Sequence, residues 1–551
     1  MLPLLLSGAL AIVSCVASTH IVSLPYGTFR GVPQGNLTEF RSVPFAQAGR
    51  FELPRAPRHL HGIQNATVYG ASCPQQTFSA LPVELPGSDN DPQLTISEDC
   101  LTLDVYRPIT ANHKSKLPVL VWIFGGGFET GNTRDTDVKP VVERAIVTGQ
   151  SVVSVVMNYR FTAFGFLAGK EVARAGISNL GLRDQIFALK WVQEHVAAFG
   201  GDPSRVVLGG VSAGAISASL LMLDNLEGSN KLFHGAILEA GSPGSEPSVL
   251  DGQDQYNFLV SANNCSHAHD TLECLRNVPF DAFMTTVNET PDLFSNKSLN
   301  TAWRPRVDGD VILANPLLML QRGLFSKMPF LTGDSDDEGT IFTLALLNIT
   351  TNSEFLNYVH ANYFPAATED QIAKMGHLYP NDPKKGSPFG TGTNNQLSPQ
   401  FKRLASFQGD LIFVAPRRFF LEHASSRQNT WSWLSTAFKN SSELGSVHTS
   451  DDAILFPKTP DSDWTAADAL INFINTLNPN RPADGSHHSA LEVPWSKWHK
   501  KEPVSLTFSD TKVSVTADDF RAESMGYLNE VLLEEAEGEG VVCLVIVASS
   551  V

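Results

Sequence analysis

Positive charge is what this chain has little of. Forty lysines and arginines stand against 57 aspartates and glutamates, a formal net charge of −17 over 551 residues. So acidic a chain excludes nucleic acid as a partner and argues against stable binding to an anionic membrane surface. Long apolar runs are also missing: the N-terminal one, residues 4–16, is too short to cross a bilayer. No repeats and no heptads occur, which removes solenoids and coiled coils. Histidine pairs at His59/His61 and His267/His269 lack a third ligand, and no H-E-x-x-H is present, so no metal is expected. Nothing in the chain asks for an organic cofactor.

What is present begins with an address. Residues 1–17, MLPLLLSGALAIVSCVA, read as a signal peptide cleaved after small Ala17, although no basic residue precedes the apolar run. That predicts a secreted, extracellular protein in a compartment where disulfides persist. Of six cysteines, Cys15 leaves with the signal and Cys543 is left over. Cys73, Cys100, Cys265 and Cys274 allow three pairings, of which nearest-neighbour closure would make Cys73–Cys100 and Cys265–Cys274. Sequons begin at Asn36, Asn65, Asn264, Asn288, Asn296, Asn348 and Asn440, which predicts a glycoprotein.

The next reading is of organisation. KLPVLVWIF at 116–124 and SVVSVVM at 151–157 are apolar on both faces, as central strands of a covered sheet must be. Leu182, Ile186, Leu189, Val192 and Val196 recur at helical spacing before Gly200 stops the helix. Further strands are expected at 101–106, 205–209, 235–239, 328–333, 431–435 and 504–508. Strands alternating with helices predict a mostly parallel α/β sheet in one domain with insertions, residues 18–533. Residues 73–100 read as a loop-rich flap, 384–400 as a surface loop, and 534–551 as an acidic, then apolar, tail outside the domain.

The chemistry centres on residues 199–214, FGGDPSRVVLGGVSAG. Gly210-Val211-Ser212-Ala213-Gly214 is a G-x-S-x-G nucleophile elbow, a serine on a tight turn between strand and helix whose flanks must be small. Such a serine needs a base to take its proton and an acid to orient the base, in the chain order Ser, acid, His. Asp334, Asp336, Asp337 and Glu338 compete for the acid at the end of a strand. For the base, His448 lies in a loop, with His360, His377, His423, His487, His488 and His499 as rivals. Gly125-Gly126-Gly127 at a strand end would let backbone N–H groups meet an oxyanion.

These stretches resemble the type-B carboxylesterase/lipase family of α/β-hydrolases, which includes fungal lipases, carboxylesterases and cholinesterases. The elbow stretch and EDCLTLDVYRP at 98–108 match its signatures, and WIFGGGF at 122, NYR at 158, NLGLRDQ at 179, DEGT at 337 and GSVHTSD at 445 are family-like. The likeness runs from about residue 21 to 533. It implies an α/β-hydrolase fold with a gorge and lid, Ser212 as nucleophile, Glu338 as acid and His448 as base. It implies Gly126, Gly127 and Ala213 as oxyanion donors, and it supports the two local disulfides, with Cys73–Cys100 closing the lid loop.

Departures narrow the reading. Val211 stands where cholinesterases carry glutamate, and no tryptophan lies between Cys73 and Cys100, where they place the choline-binding one. The expectation is a secreted serine carboxylesterase acting on water-soluble to medium-chain esters, with triglyceride or sterol ester as the alternative. Its partner is then a small-molecule or lipid ester, with at most transient contact with a lipid interface, and the oligomeric state is open. A non-catalytic binding protein on this fold would have lost the serine or the histidine, and this chain keeps both.

Overall fold

The computed structural model describes residues 20–81, 94–135, 137–459, 461–480 and 489–540. Its centre is an 11-stranded sheet. In chain order the strands are β1 (Val32–Gln34), β2 (Leu37–Pro44), β3 (Thr102–Pro108), β4 (Leu117–Ile123), β5 (Val153–Met157), β6 (Gly201–Val211), β7 (Gly235–Glu239), β8 (Phe330–Ser335), β9 (Thr430–Ser435), β10 (Val504–Phe508) and β11 (Val513–Ala517). In space they run β11-β10-β9-β8-β7-β6-β4-β5-β3-β2-β1. From β10 through β5 every neighbouring pair is parallel. β11 on one edge and β3, β2 and β1 on the other join antiparallel.

Parallel neighbours need crossovers, and the crossovers bury both faces of the sheet. This is why the central runs are apolar at every position. Along β4, Val119, Val121 and Ile123 enter one buried cluster while Leu120 and Trp122 enter the other. Helices α1 (Leu180–His195) and α2 (Ala213–Leu221) cover the first face, and α3 (Thr465–Thr476) covers the second. Trp122 is fully buried, so truncation to alanine would cost about 3–5 kcal/mol.

Three of the stretches that carry the family likeness serve this frame. Arg160 and Asp184 form a buried two-armed ion pair, 2.8 and 2.7 Å, that pins α1 to the end of β5. Glu98 holds Arg50 in the same way, at 2.6 and 2.9 Å.

The structure differs from expectation in three places. The boundary expected at 533 falls inside one continuous helix, α4 (Ala522–Gly540). Ala536 is buried and Gln371 donates to Glu534 at 2.8 Å, so the acidic stretch is the end of a packed helix with Glu534 and Glu537 outward. The loop at 384–400 is not all surface, because Ser387 is buried and both Ser387 and Phe389 bind the carboxylate of Asp337. β11, a short half-exposed edge strand, is not among the expected strands. The residues expected to form the signal, 1–17 with Cys15, and residues 541–551 with Cys543, lie outside the described residues.

Candidate active site

β6 ends at Val211 and α2 begins at Ala213, so Ser212 is the whole connection. Its backbone sits at φ 54°, ψ −123°, a region side chains avoid. Neighbours hold it there. The Ser212 N–H donates to the Glu239 carbonyl at 2.8 Å, and Ile216 N–H returns to the Ser212 carbonyl at 2.9 Å. A Cβ on Gly214 would lie 2.0 Å from the carbonyl oxygen of Ile123, and one on Gly210 would lie 2.5 Å from the carbonyl carbon of Gly214. Close approach of strand, turn and helix requires both glycines.

The loops after β8 and β9 carry Glu338 and His448. His448 Nε2 lies 2.9 Å from Ser212 Oγ, and its Nδ1 faces Glu338 Oε2 in a close hydrogen-bond contact. An Nδ1–H directed at the carboxylate leaves the Nε2 lone pair to accept the serine proton. Burial among Phe342 and Phe413, with ring centroids 5.1 and 4.5 Å away, pushes the imidazole down to about 3 and keeps it neutral. The Glu338 carboxyl is held well above the usual range by burial, reinforced by Asp334 and Asp451. Its other oxygen accepts the Ser335 N–H at 2.6 Å.

The four competing carboxylates separate by their partners. Asp334 takes Arg417 at 2.6 Å, inside the sheet. Asp336 is paired with Lys439, which also reaches Asp337 at 2.7 Å. Asp337 further accepts the N–H groups of Ser446 and Phe389 and the Ser387 hydroxyl. Only Glu338 meets His448. Of the rival histidines, His423 bonds its own helix at Phe419 and His360 lies near Glu369. His487 and His488 lie outside the described residues.

Opposite the serine, Gly126 and Gly127 run at φ 100° and 65°, and their N–H groups find no acceptor among the described residues. Ala213 opens α2, so its N–H lacks an intrahelical partner. These amides and Ser212 line a cavity of about 290 Å³ that also holds His448. Leu293, Phe294, Leu299, Ile341, Phe342 and Phe413 make one part of its wall apolar, while Asp135, Glu246, Arg304 and Asp452 put charge on the remainder. Among the described residues no cluster of three or more histidine, cysteine or acidic side chains could hold a metal.

Cys73 is bonded to Cys100 and Cys265 to Cys274. Residues 82–93 of the expected lid lie outside the described residues. At its base, Phe78 packs edge-on against Phe294 at 5.1 Å, and Ser79 bonds Asp292 at 2.6 Å. All seven sequon asparagines are exposed. Sequence reasoning missed the aromatic wall around His448, Lys439, and the Arg304–Glu246 pair bordering the cavity, none of which carries a local motif.

Comparison with known proteins follows the same lines. A model described as the Carboxylesterase family matches residues 18–526. Secreted lipase 1 of Botryotinia fuckeliana is 37% identical, across 93% of this chain and 92% of its own. A secreted triacylglycerol lipase of Gibberella zeae is 35% identical, across 93% and 90%. Among solved structures, EstA of Aspergillus niger matches with a TM-score of 0.78 and 25% identity, over 93% of this chain and 98% of that one.

Proposed function

The chain belongs to the carboxylesterase family and is a carboxylic ester hydrolase, and from that premise we propose that it is a secreted serine enzyme working through an acyl-enzyme. The observation that carries the mechanism is the unbroken relay from Ser212 Oγ to His448 to Glu338 beneath an apolar cavity. His448 Nε2 takes the serine proton as Oγ attacks the ester carbonyl. The amides of Gly126, Gly127 and Ala213 receive the oxyanion, each worth roughly 3 kcal/mol in comparable hydrolases. Glu338 orients the imidazole and stabilises its cation. His448 then protonates the departing alcohol, and water, activated by the same imidazole, clears the acyl group.

Secretion is supported by the signal-like residues 1–17 and by relatives that are themselves named secreted. The apolar wall suits an aliphatic acyl group, with water-soluble to medium-chain esters as the first reading. Lipase action on triglyceride is the second, favoured by the names of the two fungal relatives. A serine-directed organophosphate tests the mechanism: one adduct on Ser212 is expected, and none in folded protein overturns it. Comparing a short p-nitrophenyl ester with emulsified triolein tests the substrate class. Activity confined to the emulsion selects the second reading.

A further inference from the structure

The apolar cavity does not end in apolar wall. Adjoining it is a larger chamber of about 540 Å³, and the two share Ile216, Glu246, Thr301, Arg304 and Ile412. Ile216 is one helical turn along α2 from Ser212, which sets the junction beside the nucleophile. His448 lines the cavity but not the chamber. The leaving alcohol must stay within reach of His448, so the part of a substrate that extends into the chamber is the acyl chain.

At the junction stands an ion pair. Arg304 Nε and Nη2 donate to Glu246 Oε2 at 3.0 and 2.9 Å, and Nη2 also reaches the Ser245 carbonyl at 3.3 Å. Glu246 is 5% exposed, a carboxylate buried beside an acyl pocket. Beyond it the chamber carries Lys297 and Arg306 as further cations, with Asp251 and Glu535 as further carboxylates. Arg306 Nε is buried and has no hydrogen-bond partner among the described residues. With three groups of each sign, the wall favours neither an anion nor a cation. It does favour a neutral group that both donates and accepts, which is a hydroxyl. A plain alkyl chain pushed past the pair would strip the remaining solvent from Arg304 and return nothing.

We propose that Arg304 and Glu246 determine acyl specificity, selecting esters whose acyl chain bears a hydroxyl remote from the ester carbonyl over long unsubstituted alkyl chains. The proposal rests on the reading of Ser212 as nucleophile. A site built to bond a substrate hydroxyl rejects the analogue lacking it far more strongly than an apolar pocket rejects an added hydroxyl.

The test measures kcat/KM on p-nitrophenyl esters from butanoate to hexadecanoate, each longer one paired with its ω-hydroxy counterpart. In the native protein the hydroxy ester of at least one longer pair should be preferred by about tenfold. In the Arg304→Leu/Glu246→Leu double variant, which leaves no lone buried charge, that ratio should fall to one or below. Arg304→Lys, which keeps a donor cation, should restore part of it. A native enzyme without hydroxyl preference at any length overturns the proposal. So does a double variant that keeps the native ratio while Ser212 still takes an organophosphate. Failure of Ser212 to label in native protein would instead remove the catalytic reading beneath it.

Discussion

The two sides of the proposed active site are held in place by different physics. On the nucleophile's side no charged group is involved. Ser212 is held by backbone hydrogen bonds to Glu239 and Ile216, and at Gly210 and Gly214 the room for a Cβ is simply absent. On the acid–base side, Glu338 and His448 stand on loops 110 residues apart in sequence, and charge ties those loops together. Lys439 bridges Asp336 and Asp337, Asp337 gathers the chain at Phe389 and Ser446, and Asp451 takes the Trp433 indole N–H at 2.9 Å. Under the same strands Arg417 lies between Asp334 and Asp518, at 2.6 and 2.9 Å. The difference teaches that steric placement is indifferent to proton and salt concentration, whereas placement by charge is not.

The largest effect should come from the acid–base side. Glu338→Gln preserves shape and the bond from Ser335 but offers Nδ1 the wrong partner, so kcat should fall about 10⁴-fold in folded protein. A loss below tenfold, with unchanged circular dichroism, would reduce Glu338 to one more member of the charge network. On the other side, Gly214→Ala places a methyl against the Ile123 carbonyl, at 2.0 Å before anything moves. Shifting the serine by about 1 Å is worth roughly 10²-fold in kcat. That loss should be the same at low and high salt. Dependence on salt there would break the contrast.

The same contrast explains what could be read from the sequence. The elbow was legible because its determinants lie within five consecutive residues, and strands β4, β5 and β7 because each is a closed apolar run. The acid was not separable from its neighbours by spacing, since Arg417 and Lys439, which occupy Asp334 and Asp336, come from 83 and 103 residues away. Choosing Glu338 and His448 took the family likeness. The helix that runs through 533 is not legible in the sequence, because glutamates on a helix's outer face look the same as glutamates in a solvated tail. Arg304 and Glu246 sit on separate loops, and only the fold makes them a pair.

Two smaller effects would sharpen the comparison. Lys439→Met leaves Asp336 and Asp337 side by side without a cation. With the lysine partly exposed, the loss of stability should be about 2 kcal/mol, with kcat down by about tenfold as the Glu338 loop loosens. Added salt should recover part of both. A variant as stable and active as the native enzyme would show that hydrogen bonds to Asp337 alone position the acid.

The last prediction concerns protons. Asp452, which lines the cavity with His448, has its carboxyl raised to about 7 by burial and then by the like charge of Asp451, with Lys458 and Glu239 opposing and Asp135 adding to the rise. Its Oδ1 is buried and finds no partner among the described residues. In the unfolded chain the same group ionises near about 4. Between those values the folded protein holds the proton and the unfolded chain does not, so stability falls as pH rises through the window. The cost is absent below about 4 and complete above about 7, of order 2–4 kcal/mol. Asp452→Asn abolishes the titration, so its Tm should exceed the native value at pH 8 and converge with it toward pH 4. Gly214→Ala, whose defect is steric, should instead lower Tm by a constant amount over that range. Parallel pH profiles for the two variants would mean that the acid–base side, too, is held by packing.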